Sequence, residues 1–247
     1  MMLLASFNRK TAYFSFMPIN RAVLKTRSIT AFFYVVAMLT GICWNKHSFK
    51  FLLMIMLMGC MTELFALLRK KDGRWKPLHL LWAFAYVGIP ISLFLRLGIH
   101  QNDDGTEIYS MWMPLMVLFS IWINDTMAYL VGSWIGKTPL SRYSPKKTWE
   151  GTIGGIILSM VVVIAISRLI PADKSMLFWA LFALVASITG TIGDLFESRL
   201  KRMADVKDSG NVLPGHGGLL DRFDSLLFAA PAIWLLLKLM SSPLFAS

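Results

Sequence analysis

Charged residues and cysteines are both scarce in this chain. Only 16% of its 247 residues are Asp, Glu, Lys or Arg, whereas a soluble domain carries about 25%. The two cysteines, Cys43 and Cys60, lie in apolar runs and lack the C-x-x-C spacing of zinc and redox motifs. We therefore expect two packing residues, without a disulfide or a zinc pair. The low charge argues against a soluble globular domain.

Acidic residues are scarcer than basic ones, with 14 Asp and Glu against 25 Lys and Arg and a formal net charge of +11. Such a surplus suits an anionic membrane surface or an anionic substrate. Nucleic acid is the usual partner of so basic a chain, but basic residues between apolar spans are better explained as signals of membrane topology. We therefore predict no nucleic-acid partner.

What the chain has in excess is long apolar runs, which give it a mean hydropathy of +0.59. The runs cover Ser28–Trp44, Phe49–Leu68, Leu78–Leu97, Tyr109–Gly136, Gly151–Ile170, Ser175–Gly193 and Phe223–Met240. About 20 apolar residues cross a bilayer as a helix, whose backbone hydrogen bonds are satisfied internally. We predict an all-α polytopic integral membrane protein with about seven to nine transmembrane helices. The run Tyr109–Gly136 exceeds one perpendicular span, so it either tilts or breaks near Pro114 or Asn124.

The connecting loops predict the orientation of these spans. If the N-terminus is cytoplasmic, most basic residues fall in cytoplasmic loops, whereas the acidic loop His100–Glu107 lies on the opposite side. This arrangement satisfies the positive-inside rule. We therefore expect a multi-pass protein of the cell membrane, meaning the inner or cytoplasmic membrane, with its N-terminus in the cytoplasm.

Two polar residues interrupt the fourth apolar run. Asn124 and Asp125 are flanked by apolar residues on both sides, and an ionisable residue inside a spanning helix is by default a candidate for function that faces the bundle interior. The alternative is an aspartate at the membrane interface, near a helix end.

A second polar group follows the sixth run. If that helix continues past Gly193, the residues at three- and four-residue steps share one face. They are Asp194, Glu197, Ser198 and Lys201. We expect Glu197 to be a solvated charge at the end of an amphipathic helix.

The segment Lys137–Glu150, KTPLSRYSPKKTWE, is a third polar group. Its four cations and five hydroxyl groups precede a glycine-rich helix start, and we interpret it as a flexible basic loop that binds phosphate groups. Positive-inside anchoring alone explains the cations but not why Ser144, Lys146, Lys147 and Thr148 follow one another so closely in the sequence.

The fourth group, VKDSGNVLPGHGGLLDRFDS from Val206 to Ser225, combines glycines, acids and bases. Glycine permits close backbone approach to a ligand. The chain offers no Cys or His pair at metal-ligand spacing, so zinc is not expected, whereas carboxylates suit Mg²⁺, which also takes substrate phosphates as ligands. All four polar groups fall on one predicted membrane face, so we expect an active site that faces the cytoplasm.

These residues also resemble a known family. From Ser198 to Asp224 the chain reads S-x-L-K-R, four residues, K-D-x-G, two residues, then L-P-x-H-G-G-L-x-D-R-F-D. This pattern resembles the full signature of the phosphatidate cytidylyltransferases, also called CDP-diacylglycerol synthases. Asn124–Tyr129 and Ser144–Gly151 resemble a second block of that family. The resemblance extends from Leu24 to the C-terminus.

The resemblance implies an enzyme that transfers CMP from CTP to phosphatidate, giving CDP-diacylglycerol and pyrophosphate in phospholipid biosynthesis. It implies Mg²⁺, with K⁺ as a second cation, and a homodimer among membrane lipids. Residues 1–27 are expected to be a cytoplasmic or interfacial segment. Residues 28–247 are expected to form one transmembrane catalytic domain, with the site in its C-terminal half.

The resemblance also assigns roles to single residues. The metal ligands are Asp194 and Asp221. The catalytic set is Asp194, Asp221, Lys147, Arg222 and His216. The substrate-binding set is Asn124, Asp125, Ser144, Lys146, Ser198, Lys201, Arg202, Lys207, Asp208, Gly217, Gly218 and Asp224. Within it, Asp208 and Asp224 are expected to orient Lys207 and Arg222.

Two other functions stay open on the sequence. A CTP-dependent polyprenol or dolichol kinase shares the membrane and nucleotide features, but it transfers the γ-phosphate to an alcohol. A transporter of ions or phosphate would also place polar groups within the membrane, although such proteins often contain two related halves, and the sequence has no such repeat.

Overall fold

The computed structural model describes residues 21–102, 104–170, 174–215 and 217–241. Most of the predicted N-terminal segment lies outside them. The helices described are α1 (Arg21–Cys43), α2 (Lys46–Asp72), α3 (Leu78–Ala83), α4 (Ile89–Gly98), α5 (Trp112–Ile135), α6 (Trp149–Ser167), α7 (Met176–Met203) and α8 (Leu220–Met240). A π-helical turn, Phe84–Gly88, joins α3 and α4 into one continuous helix. Two antiparallel hairpins pair β1 (Ile99–Gln101) with β2 (Glu107–Tyr109), and β3 (Pro139–Ser141) with β4 (Ser144–Thr148).

Seven helices in the described part of the chain are long and apolar enough to cross a membrane, which confirms the predicted all-α polytopic fold. The first of these spans begins at Lys25 instead of Ser28. The long fourth run is one unbroken helix, α5, because Pro114 lies in its first turn, where proline removes no intrahelical hydrogen bond. At about 36 Å, α5 exceeds the ~30 Å hydrocarbon core.

The basic segment before α6 is a hairpin and not the irregular flexible loop that we expected. Its strands pair Ser141 with Ser144 and Pro139 with Thr148. The carboxylate of Glu150 accepts hydrogen bonds at 3.2 Å from the backbone N–H groups that precede β3, and the Thr148 hydroxyl caps α6. These contacts fix β4 against the start of α6.

The helices next to the hairpin pack with their backbones close together. A Cβ atom at Gly155 of α6 would lie 2.8 Å from the carbonyl oxygen of Asn124 in α5. A Cβ at Gly193 of α7 would lie 2.4 Å from the carbonyl oxygen of Asp224 in α8. Small residues at helix interfaces permit such packing in membranes, where there is little hydrophobic drive for association.

The two cysteines are free. Cys60 is buried in the core as expected, whereas Cys43, at the end of α1, is exposed and not a packing residue.

We predict that Gly155→Ala lowers the free energy of unfolding by about 1–3 kcal/mol, because the added methyl group overlaps backbone atoms that have little room to move. The matched control is Gly190→Ala in α7, where the new Cβ would lie 3.4 Å from its nearest neighbour, an ordinary contact. Thermal unfolding in detergent measures both. Equal midpoints for the two variants would contradict the close α5–α6 contact.

Candidate active site

One cavity of about 500 Å³ opens where α5, β4, α7 and the start of α8 meet. Eleven residues from the predicted site line it: Asn124, Asp125, Ser144, Lys146, Lys147, Asp194, Lys201, Asp208, Asp221, Arg222 and Asp224. The polar residues Tyr129, Ser133, Thr148, Thr152, Thr191 and Ser225 complete its polar wall. Helix termini that are distant in the chain therefore meet in one place, which we call the site cavity.

The remaining predicted residues lie around this cavity. Lys207 and Gly217 line a neighbouring cavity of about 550 Å³, which shares Asp208 and Arg222 with the site cavity. The hydroxyl of Ser198 donates to Asp194 at 3.3 Å. The other three are Gly218, whose backbone N–H donates to Asp221; Arg202, which is exposed and donates to the Val206 carbonyl; and His216, which lies outside the described residues.

Lys147 crosses the cavity from β4 to α7. Its ammonium group forms an ion pair with Asp194. Burial acts to lower the pKa of the Lys147 ammonium, but the carboxylates of Asp194 and Asp125 outweigh that effect and hold the pKa above its ordinary value. Lys147 therefore stays cationic at neutral pH, in a position to exchange a carboxylate partner for a phosphate.

Asp221, in the first turn of α8, organises the loop that precedes it. Its Oδ2 atom accepts hydrogen bonds from the backbone N–H groups of Ser209 (2.9 Å) and Gly218 (2.8 Å), and from the Ser209 hydroxyl (3.1 Å). The loop passes so close that a Cβ at Gly217, where φ is +81°, would lie 2.6 Å from Oδ2. Protein donors therefore occupy this carboxylate, and its predicted role as a metal ligand requires that it exchange them.

Lys201 lies between two carboxylates. Its ammonium nitrogen is 2.5 Å from Asp221 Oδ1 and 2.8 Å from Glu197 Oε2. The prediction that Glu197 is solvated is wrong: α7 continues past Gly193 to Met203, and Glu197 is 0% exposed because it faces the packed interior. Lys201 gives this buried carboxyl group a cationic partner, so Lys201 is part of the frame of the cavity.

The polar pair in α5 does face the bundle interior. Asn124 is buried and donates weakly to the Thr191 hydroxyl of α7 (3.4 Å), while its Oδ1 atom has no hydrogen-bond partner within the described residues. Asp125 is exposed in the site cavity, whereas Asp224 is buried and accepts from the Ser225 N–H. The side-chain oxygens of Asn124, Asp125 and Asp224 thus supply acceptors on the wall of the site cavity.

The carboxylate oxygens of the cavity are the kind of ligand that a magnesium ion takes. Within the described ranges, no group of three or more His, Cys, Asp and Glu side chains is arranged to hold a metal ion alone, and Mg²⁺ takes only one or two protein carboxylates with water and substrate phosphates. The cavity lining contains five aspartates against four Lys and Arg residues. Since this lining has no net positive charge, a bound divalent cation would complement anionic substrates.

Sequence reasoning missed one acid next to the site. Glu63, in α2, is buried and accepts hydrogen bonds from Ser209, Leu219 and Leu220. The sequence did contain a signal for Glu63. It is an ionisable residue inside the apolar run Phe49–Leu68, and such residues are candidates for function.

Comparison with known proteins shows which proteins this chain is similar to. Residues 94–240 match the model of the Cytidylyltransferase family. A phosphatidate cytidylyltransferase of Bacillus subtilis is 48% identical over 160 residues, which are 64% of this chain and 57% of that protein. Those of Thermotoga maritima and Staphylococcus haemolyticus are each 42% identical, over 64% of this chain and 58% and 57% of their own lengths. The chain thus spans less than two thirds of the length of these relatives.

We predict that Lys201→Met lowers the free energy of unfolding by about 3–5 kcal/mol, because it leaves the buried carboxyl groups of Glu197 and Asp221 without their shared cationic partner. Adding Glu197→Gln should recover part of the loss. The matched control is Lys50→Met, which breaks a 2.8 Å ion pair with Glu107 at the surface and should change stability far less, because solvent screens an exposed pair. Thermal midpoints in detergent test this difference, and equal shifts for the two lysines would refute it.

Proposed function

Because the chain belongs to the cytidylyltransferase family, we propose that it transfers CMP from CTP to phosphatidate, giving CDP-diacylglycerol and pyrophosphate. The observation that carries the proposal is the site cavity itself. Cations of β4 and α8 and carboxylates of α5, α7 and α8 meet there at one end of a membrane bundle. The relatives named phosphatidate cytidylyltransferase support this choice of substrates.

The chemistry matches the residues present. A phosphatidate phosphate oxygen attacks the α-phosphorus of CTP, the bond from that phosphorus to the bridging oxygen breaks, and pyrophosphate leaves with the bonding electrons. The attacking oxygen is already anionic, so catalysis depends on positioning and on stabilising charge. Lys146, Lys147 and Arg222 line the cavity, and we assign them to the substrate phosphates.

The carboxylates are assigned to the cation. Asp194 and Asp221 would hold Mg²⁺, with Asp125 and Asp224 beside them on the cavity wall. When bound, Mg²⁺ would supply the positive charge that neutralises the triphosphate and the departing pyrophosphate. The role of K⁺ as a second cation stays a prediction.

We further propose that the site cavity faces the cytoplasm, where CTP is available, and that the acyl chains of phosphatidate enter sideways between helices. The basic loops at this end of the bundle support that orientation. By family resemblance the protein is also proposed to be a homodimer. Cross-linking in native membranes tests whether the protein is a dimer. Labelling of cysteines introduced at Ser144 and at Asp104 tests which side of the membrane each position faces.

Labelled CTP tests the reaction directly. We expect purified protein with phosphatidate and Mg²⁺ to incorporate the label of [α-³²P]CTP into a chloroform-soluble lipid, and to leave the label of [γ-³²P]CTP in pyrophosphate. A chelator in excess over Mg²⁺ should stop the reaction, because the cavity lining alone does not offset the charge of two polyanions. Transfer of the γ-label to lipid would identify a kinase instead.

Substitution of the two proposed ligands tests the site. Asp194→Asn and Asp221→Asn should each reduce product formation by about 100-fold or more, because each removes a charge that acts on the transition state. The matched control is Asp205→Asn, at an exposed position on the same end of the protein, where φ is 53°, a conformation that asparagine tolerates well. Thermal midpoints establish folding of all three. Near-normal turnover by folded Asp221→Asn would remove Asp221 from the mechanism.

A further inference from the structure

Glu63 connects α2 to the loop that carries most of the family signature. Its Oε1 atom accepts from the Leu219 N–H at 2.9 Å. Its Oε2 atom accepts from the Leu220 N–H at 2.8 Å and from the Ser209 hydroxyl at 2.7 Å. The side chain is 6% exposed, so both oxygens are committed to these donors. Glu63 lies outside residues 94–240, the part of the chain that matches the family.

This carboxylate replaces a cap that α8 lacks. The first N–H groups of an α-helix have no intrahelical acceptor and usually receive one from an Asn, Asp, Ser or Thr at the N-cap. The N-cap of α8 is Leu219, which makes no side-chain cap. Glu63 supplies the acceptors from another helix, and its negative charge complements the positive end of the helix dipole.

The surroundings of Glu63 leave little room for any other arrangement. One turn earlier in α2, a Cβ at Gly59 would lie 2.2 Å from the Leu219 side chain, so α2 approaches the start of α8 closely. A Cβ at Gly210 would meet three atoms of Glu63 first, with Oε1 at 2.6 Å. At Gly218, a Cβ would lie 2.2 Å from Glu63 Oε2. The loop therefore encloses this one side chain.

The carboxylates of Glu63 and Asp221 compete for the single hydroxyl proton of Ser209. The Ser209 hydroxyl lies 2.7 Å from Glu63 Oε2 and 3.1 Å from Asp221 Oδ2, and a hydroxyl donates only one hydrogen bond. If Asp221 leaves its protein donors, Ser209 still has an acceptor in Glu63. The N–H groups of Leu219 and Leu220 are held by Glu63 in either case.

We propose that Glu63 is a positioning residue that keeps the start of α8 and Ser209 in place while Asp221 exchanges protein donors for the substrate-bound cation. The inference rests on the proposed function for its cation. It predicts that Glu63 acts on turnover and on the Mg²⁺ requirement more than on substrate affinity, because it touches the frame of the site and not the substrates.

The first test replaces Glu63 by glutamine, which has the same shape but only one acceptor oxygen, so that an NH₂ group faces one N–H donor. We expect kcat to fall by about tenfold or more, KM for CTP and phosphatidate to change less than threefold, and half-maximal activity to need several-fold more Mg²⁺. Glu107→Gln is the matched control, because Glu107 pairs with Lys50 outside the site. Turnover and Mg²⁺ requirement within twofold of the unsubstituted protein, with the variant folded, would overturn the proposal.

A second readout is independent of activity. Hydrogen exchange of the backbone amides of Ser209–Asp221, measured by mass spectrometry without substrates, should accelerate in Glu63→Gln and stay unchanged in Glu107→Gln. If the protein makes no liponucleotide but this local change occurs, the proposed function fails while the capping role stands. Unchanged exchange in this segment would overturn the capping role itself.

A double-substitution cycle covers the outcome in which Glu63→Gln does not fold. Gly210→Ala places a methyl group against Glu63, and Glu63→Asp shortens that side chain by one methylene group. If the methyl group added at position 210 contacts the side chain of residue 63 as described, the double variant should lose less turnover than the product of the two single losses. Multiplicative losses would contradict the enclosure of Glu63 by the loop and overturn the proposal.

Discussion

The site depends on ion pairs, because a membrane bundle does not accommodate charged side chains that have no partner. Lys201 lies between Glu197 and Asp221, and Lys147 pairs with Asp194. Since an unpaired charge costs several kcal/mol when it is buried, these pairs determine how α7, α8 and β4 meet. The same groups are the ones proposed to bind the polyanionic substrates and a divalent cation, so the charges assigned to catalysis are paired with each other in the structure.

Glycine determines how closely the charged elements approach each other. Gly193 brings α7 against the backbone of α8, and Gly217 lets the loop pass next to the Asp221 carboxylate. A larger residue at either position would separate groups that now lie within hydrogen-bonding distance. The glycine density of the stretch Val206–Ser225 therefore reflects packing around a carboxylate as well as room for a ligand.

Much of this fold and site could be predicted from the sequence. Apolar run length gives the seven spans, because the bilayer requires about 20 residues per helix, and the sequence interpretation as a whole identified eleven of the nineteen residues that line the site cavity. The burial of Glu197 could not be predicted, since it depends on Lys201 arriving at the same depth one turn later. The hairpin before α6 was missed because its fixing contact joins the two ends of the segment: the Glu150 side-chain carboxylate accepts from the backbone N–H groups of Lys137 and Thr138. Glu63 was passed over because its donors lie about 150 residues away in the chain.

The first two helices are part of the site even though the family match begins only at residue 94. Glu63 of α2 holds the start of α8, and the Thr30 hydroxyl of α1 lies 3.0 Å from the Pro214 carbonyl, at the same distance as from the Thr26 carbonyl within its own helix. The loop between α7 and α8 is rich in glycine and contains short side chains, so it has few means of fixing its own conformation. Its shape depends on acceptors and donors of neighbouring helices as well as on its own hydrogen bond from the Leu213 N–H to the Gly217 carbonyl. A signature of this kind therefore specifies the reacting groups, whereas helices outside it specify where those groups stand.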